Sequence, residues 1–102
     1  MFDTGLRLPV AGPGLIGRGP ESREPGVTCT AITDPDRSVS KVHLEYGRDE
    51  YGLWVKDRGS TNGSTLQHAG GVATPLVAGE ATRLVTGDVV TFGHRSFRVE
   101  EV

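Results

Sequence analysis

The chain has 102 residues, a single domain's worth, and its 15 Gly and 6 Pro far exceed ordinary usage of about 12% for the two together, so short strands and many turns are expected. Eleven Lys and Arg against 13 Asp and Glu leave a net charge of −2, which gives no general attraction to a nucleic-acid backbone and argues against a dedicated DNA or RNA binder. One cysteine, Cys29, excludes an internal disulfide and any zinc site built on two thiolates; with no apolar run of about 20 residues and no signal-peptide layout, a cytosolic domain without membrane insertion is expected.

Apolar residues alternate or come in short bursts broken by Gly, Pro or Asp, and no stretch has helical periodicity. Ten strands are predicted in chain order: residues 4–9, 14–17, 27–32, 42–46, 53–56, 64–67, 74–77, 82–84, 88–92 and 96–100. Turn signals separate them, among them Pro25-Gly26, Asp34-Pro35-Asp36, Arg48-Asp49-Glu50, Asn62-Gly63 and Gly87-Asp88. Short strands at this spacing predict an all-β sandwich. Residues 19–25 and 33–41 resist the strand reading and are predicted as loops, where function is expected to sit.

Several motifs carry a chemical reading and a plainer one. Gly12-Pro13-Gly14-Leu15-Ile16-Gly17 matches a dinucleotide-binding pattern, but Gly19-Pro20 follows and no helix can start there, so it reads as a turn entering a strand. Ser40, His43 and Asp57 supply the residue types of a hydrolytic triad; no nucleophile elbow surrounds Ser40, and positions 40 and 43 fall on opposite faces of an extended strand. His43, His68, His94 and Cys29 lack metal-ligand spacing, so no metal is expected. Asn62-Gly63 is the strongest two-residue hairpin signal in the chain; it predicts a hairpin joining residues 53–56 to 64–67, with Asn62 at an exposed tip where its amide both donates and accepts. Arg18, Ser40-Lys41 and Arg58-Gly59-Ser60-Thr61 each end a strand or lead a loop; converging at one end of a sandwich, they offer a guanidinium fork, hydroxyls, an ammonium and amides to a phosphate. The plainer reading leaves them as solvated loop residues.

Taken together, Gly17-Arg18, Ser40-Lys41-Val42-His43, Asp57-Arg58-Gly59-Ser60-Thr61-Asn62-Gly63-Ser64 and the block from Leu84 to Gly93 resemble the forkhead-associated (FHA) family, in the right order and over essentially the whole chain. The resemblance implies a sandwich of two twisted, largely antiparallel sheets that recognises phosphothreonine in a partner protein, the product of a Ser/Thr kinase, without catalysis or cofactor. It makes Arg18 and Ser40 the phosphate ligands, Lys41 and Thr61 auxiliary contacts, and Asn62 a ligand of the bound peptide's main chain. His43, Gly17, Ser60 and Gly63 are then supports of the site, and Asp57 and Gly87-Asp88 architectural. Ser64 stands where threonine is usual and Lys41 where arginine is common. Met1-Phe2-Asp3 begins late for the family's first strand, which implies a shortened strand or a chain excerpted from a larger protein. An FHA-like scaffold that binds through a sheet face, independently of phosphate, is the alternative; a scaffold has no need of the Arg18, Ser40 and Asn62 set.

Overall fold

The computed structural model describes residues 1–100; the last two residues of the expected 1–102 domain lie outside the described residues. Nine strands form among the described residues: β1 (Gly14–Gly17), β2 (Thr28–Ala31), β3 (Leu44–Asp49), β4 (Gly52–Asp57), β5 (Ser64–Gln67), β6 (Thr74–Pro75), β7 (Thr82–Leu84), β8 (Val89–Phe92) and β9 (Arg95–Arg98). They make a five-stranded sheet ordered β2-β1-β3-β4-β7 and a four-stranded sheet ordered β6-β5-β8-β9. Every pairing is antiparallel except β1 with β2, whose parallel register requires residues 18–27 to cross back along the sheet. The all-β sandwich of two largely antiparallel sheets expected from the sequence is therefore observed. Among the described residues, no helix is long and apolar enough to cross a membrane.

Alternation along each strand builds the core. Leu44 and Tyr46 of β3, Val55 of β4, Leu66 of β5 and Val90 and Phe92 of β8 turn inward and join Ile16, Ile32, Val39 and Leu84 between the sheets. Phe2, Phe92 and Phe97 pack tilted or edge to face with centroids 5.4–6.1 Å apart. That cluster explains one correction. The strand predicted at residues 4–9 does not form; instead Phe2 is drawn into the core and bridges Phe97, while Met1 and Arg98 exchange backbone bonds and Asp3 N–H donates to Ser96 O. Gly5, at φ 91°, then closes a turn onto Phe2 O and ends the pairing before the predicted strand starts.

The second correction concerns the Asn62-Gly63 hairpin. β4 and β5 lie in different sheets, so residues 58–63 are a crossing between sheets and not a hairpin loop. The hairpin that β4 does make is with β3, through Glu50 and Tyr51, with Asp49 opposite Gly52. Pairing decides the matter: Ser64 sits opposite Phe92, which holds β5 against β8 and away from β4. Three predicted strands have the observed limits, β1, β5 and β7, and the others move by one to three residues at an end.

Candidate functional site

β1 ends, β3 begins, β4 ends and β5 begins at one end of the sandwich, and the polar residues singled out in the sequence sit on the segments joined there. Gly17 closes β1 against the backbone of residues 40 and 41. Arg18 N–H donates to Ser40 O at 3.0 Å and Gly19 N–H to Lys41 O at 3.2 Å. A Cβ on Gly17 would stand 2.1 Å from Lys41 O, so glycine is required there by close approach, whereas Gly63 is required by its φ of 75°.

His43 is fully buried and lies behind these loops. Its Nδ1 accepts the N–H of Ser40 at 3.1 Å, which fixes the Nε2–H tautomer, and Nε2–H donates to Gly63 O at 2.9 Å. One ring thus ties the Ser40 loop to the crossing, while its edge packs on Phe92, with centroids 5.7 Å apart. Ser40 Oγ meets no ring nitrogen and accepts Thr61 N–H at 3.1 Å instead, so the nucleophile-to-base bond of a hydrolytic triad is not formed. That contact leaves the Ser40 hydroxyl proton as a donor for something outside the protein.

The crossing is held by Asp57, which is 3% exposed. Its carboxylate accepts Ser60 N–H at 2.8 Å, Ser60 Oγ–H at 2.7 Å and Ser64 Oγ–H at 2.6 Å. Burial pushes this carboxyl up, and those donors outweigh it and hold it below the usual carboxylate range. Ser60 and Ser64 therefore face inward, and Thr61 and Asn62 are left exposed between them. Asp88, buried to 1%, holds the turn before β8 by accepting Val85 N–H, and its other oxygen lies 2.8 Å from His68 Nδ1.

The site residues predicted from the sequence are thus brought together, with two differences in detail. Asn62 is exposed, yet it is not a free tip: its Nδ2–H donates to Ser38 O at 2.8 Å. Lys41 is exposed and stands 4.0 Å from Glu21, at the outer limit of an ion pair. Arg18 is exposed and, among the described residues, has no carboxylate partner. No cluster of three His, Cys, Asp or Glu side chains able to hold a metal occurs among the described residues.

Asp34 and Ser38 carry a structural role that the sequence reading did not assign. Asp34 Oδ2 accepts Ser38 Oγ–H at 3.0 Å and Val39 N–H at 2.7 Å, and both residues are buried. An Asp-Pro turn followed by serine, four residues after the aspartate, was the available signal. Burial raises the Asp34 carboxyl, but the Val39 and Ser38 hydrogen bonds bring it below its ordinary value.

A carboxyl whose pKa falls on folding stabilises the protein above its unfolded value, near 3.9, and loses that contribution as pH falls through the folded value. Asp34 and Asp57 both behave this way, as does the more exposed Asp49 beside Arg83. The melting temperature should therefore hold from about pH 7 to 5 and drop below about pH 4, with Asp57→Asn removing part of the drop. Thermal melts across that range check it; a wild-type profile that stays flat down to pH 3 would contradict the assignment.

Comparison with known proteins follows the same outline. The FHA domain family model matches residues 14–93, from the start of β1 to the glycine after β8. No match is found among curated proteins. Among solved structures, the FHA domain of FhaA, complexed with the intracellular domain of Rv3910, is 29% identical, with a TM-score of 0.64 and 93% of this chain and 90% of that chain covered. A second, from a structural and functional analysis of phosphothreonine-dependent FHA domain interactions, is 28% identical with a TM-score of 0.66, covering 99% and 92%. The FHA domain of the CT664 protein from Chlamydia trachomatis shares the fold at 21% identity and a TM-score of 0.64, covering 93% and 83%. With the family match spanning most of the chain and the two-sheet architecture shared, this chain belongs to the FHA family.

Proposed function

We propose that this domain is a phosphothreonine-dependent protein-interaction module that reads the output of a Ser/Thr kinase, with neither catalysis nor cofactor. The observation that carries the reading is the convergence at Ser40: its main-chain oxygen holds Arg18 N–H, its Oγ holds Thr61 N–H, and its own hydroxyl proton is left to donate. Arg18 then supplies the guanidinium fork for a phosphate, and Lys41 and the exposed Thr61 hydroxyl supplement it at the rim. Asn62 supplies an amide to the main chain of the bound peptide. The solved relative from the study of phosphothreonine-dependent FHA interactions supports the same ligand class.

The test is calorimetric titration with three otherwise identical peptides carrying phosphothreonine, phosphoserine or threonine. Phosphothreonine should bind and threonine should not. Phosphoserine lacks one methyl group, which a fitted pocket converts into roughly 10–200-fold weaker binding. Equal affinity for the phosphorylated and unphosphorylated threonine peptides would overturn the proposal and favour recognition through a sheet face.

A further inference from the structure

We propose that Ser38 is a positioning residue that sets the direction of the Asn62 carboxamide, and so decides which of its polar atoms faces the bound peptide. This rests on the phosphopeptide reading above, in which Asn62 binds the ligand's main chain.

Ser38 is 5% exposed, so every polar atom it carries must find a partner inside the protein. Its hydroxyl proton goes to Asp34 Oδ2 at 3.0 Å, and its oxygen accepts His94 N–H at 2.8 Å. The adjacent Val39 N–H donates to the same Asp34 oxygen at 2.7 Å, so two consecutive residues of this loop are fastened to one buried carboxylate. The turn between β8 and β9 presses on Ser38 from the other side. A Cβ on Gly93 would lie 2.5 Å from Ser38 O and 2.7 Å from Ser38 Oγ, a distance only glycine tolerates. Ser38 is thereby held by its own loop, where its backbone N–H also faces the Asp34 carboxylate, and by the four-stranded sheet, and its carbonyl oxygen receives Asn62 Nδ2–H at 2.8 Å.

A carbonyl oxygen can only accept, so it must face the NH2 end of the carboxamide and never the oxygen end. Asn62 Oδ1 and the second Nδ2–H are consequently turned away from Ser38. They form an acceptor and a donor side by side, the complement of one N–H and one C=O along an extended peptide. An exposed asparagine without such a partner can rotate its amide by half a turn and offer the wrong atom. The arrangement exists before any ligand arrives, so its effect is to remove an ordering cost from binding.

The chain has one asparagine and one glutamine, so its 15N–1H spectrum contains two side-chain NH2 pairs, Asn62 and Gln67. Gln67 Nε2–H donates to Gly71 O, far in sequence from Ser38, and serves as the internal control. In the ligand-free protein, Ser38→Ala should lower the heteronuclear NOE of the Asn62 NH2 pair to values of a mobile side chain and leave Gln67 unchanged. An unchanged Asn62 NH2 pair would overturn the proposal whether or not any phosphopeptide binds. In titrations with the phosphothreonine peptide, Ser38→Ala should weaken binding roughly three- to tenfold, yet add nothing in an Asn62→Ala background. A residue that only supported the fold would cost the same factor in both backgrounds, and that result would also overturn it. Ser38→Cys keeps a weaker donor on a similar shape and gives the same comparison if the alanine variant does not fold. Loss of phosphopeptide binding by the wild-type chain itself would count against the functional reading, whereas the NH2 measurement judges the positioning role separately.

Discussion

Replacing either Arg18 or Ser40 with alanine is expected to weaken phosphothreonine-peptide binding by roughly tenfold to more than a hundredfold and to leave the melting temperature within a degree or two of wild type, since a hydrogen bond to a charged group is worth about 1.5–3 kcal/mol. The two halves of that expectation come from different observations. Arg18 is exposed and has no carboxylate partner among the described residues, so its side chain can be removed without unpairing anything inside the fold. What it gives the fold is its backbone N–H to Ser40 O, which alanine retains. Ser40 loses slightly more, because its Oγ accepts Thr61 N–H, but that amide lies at the exposed edge and water can replace the oxygen. Calorimetry gives the affinity and differential scanning the stability. Wild-type affinity in both variants would remove the phosphate site from these residues.

His43→Ala should have the opposite profile, with a large loss of stability followed by a loss of binding. The substitution leaves Ser40 N–H and Gly63 O without partners and empties a fully buried space against Phe92. Each orphaned group is only partly buried and so costs toward the lower end of about 1–3 kcal/mol, and the emptied space adds to it. For a domain of this size, a total near 3 kcal/mol lowers the melting temperature by about 12–24 °C. His43→Gln, which can restore one of the two contacts, should fall between. If either variant lost binding with no change in melting temperature, the imidazole would have to touch the ligand directly, contrary to its complete burial.

How legible these features were in the sequence depends on the range over which each is decided. β1, β5 and β7 were readable to the residue because local signals bound them: Leu15-Ile16 lies between glycines, β5 follows directly on Asn62-Gly63, and β7 ends shortly ahead of the Gly87-Asp88 turn. The residue types of the site were readable locally too, since Arg18 and Asn62 stand beside turn signals and Ser40 closes the polar loop of residues 33–41. Pairing is not local. Asn62-Gly63 carries the strongest hairpin preference in the chain, but the hydrophobic face of β5 matches β8, and the burial of Leu66 opposite Val90 outweighs the turn's preference. Likewise, residues 4–9 have a fair strand pattern, but the burial of Phe2 against Phe92 and Phe97 and the turn that Gly5 N–H closes onto Phe2 O leave only one bridge, Phe2 to Phe97, in place of a strand. Asp34 and Ser38 were hidden for another reason. Loops rich in Asp and Ser are usually solvated, and only the tertiary contact with the turn after β8 makes these two interior residues.

The crossing between β4 and β5 divides its residues by direction: Ser60 and Ser64 turn in and donate to Asp57, while Thr61 and Asn62 are exposed. The division gives the two sets unequal histories under mutation. A lineage could exchange Arg18, Ser40 or Asn62 one at a time and alter or abandon its ligand while each intermediate still folded. The same lineage could not replace Asp57 or His43 without losing the platform on which a new ligand would be tried. The scaffold is thus built to outlast any particular partner, and divergence should accumulate on the outward side of this segment long before it reaches the inward side.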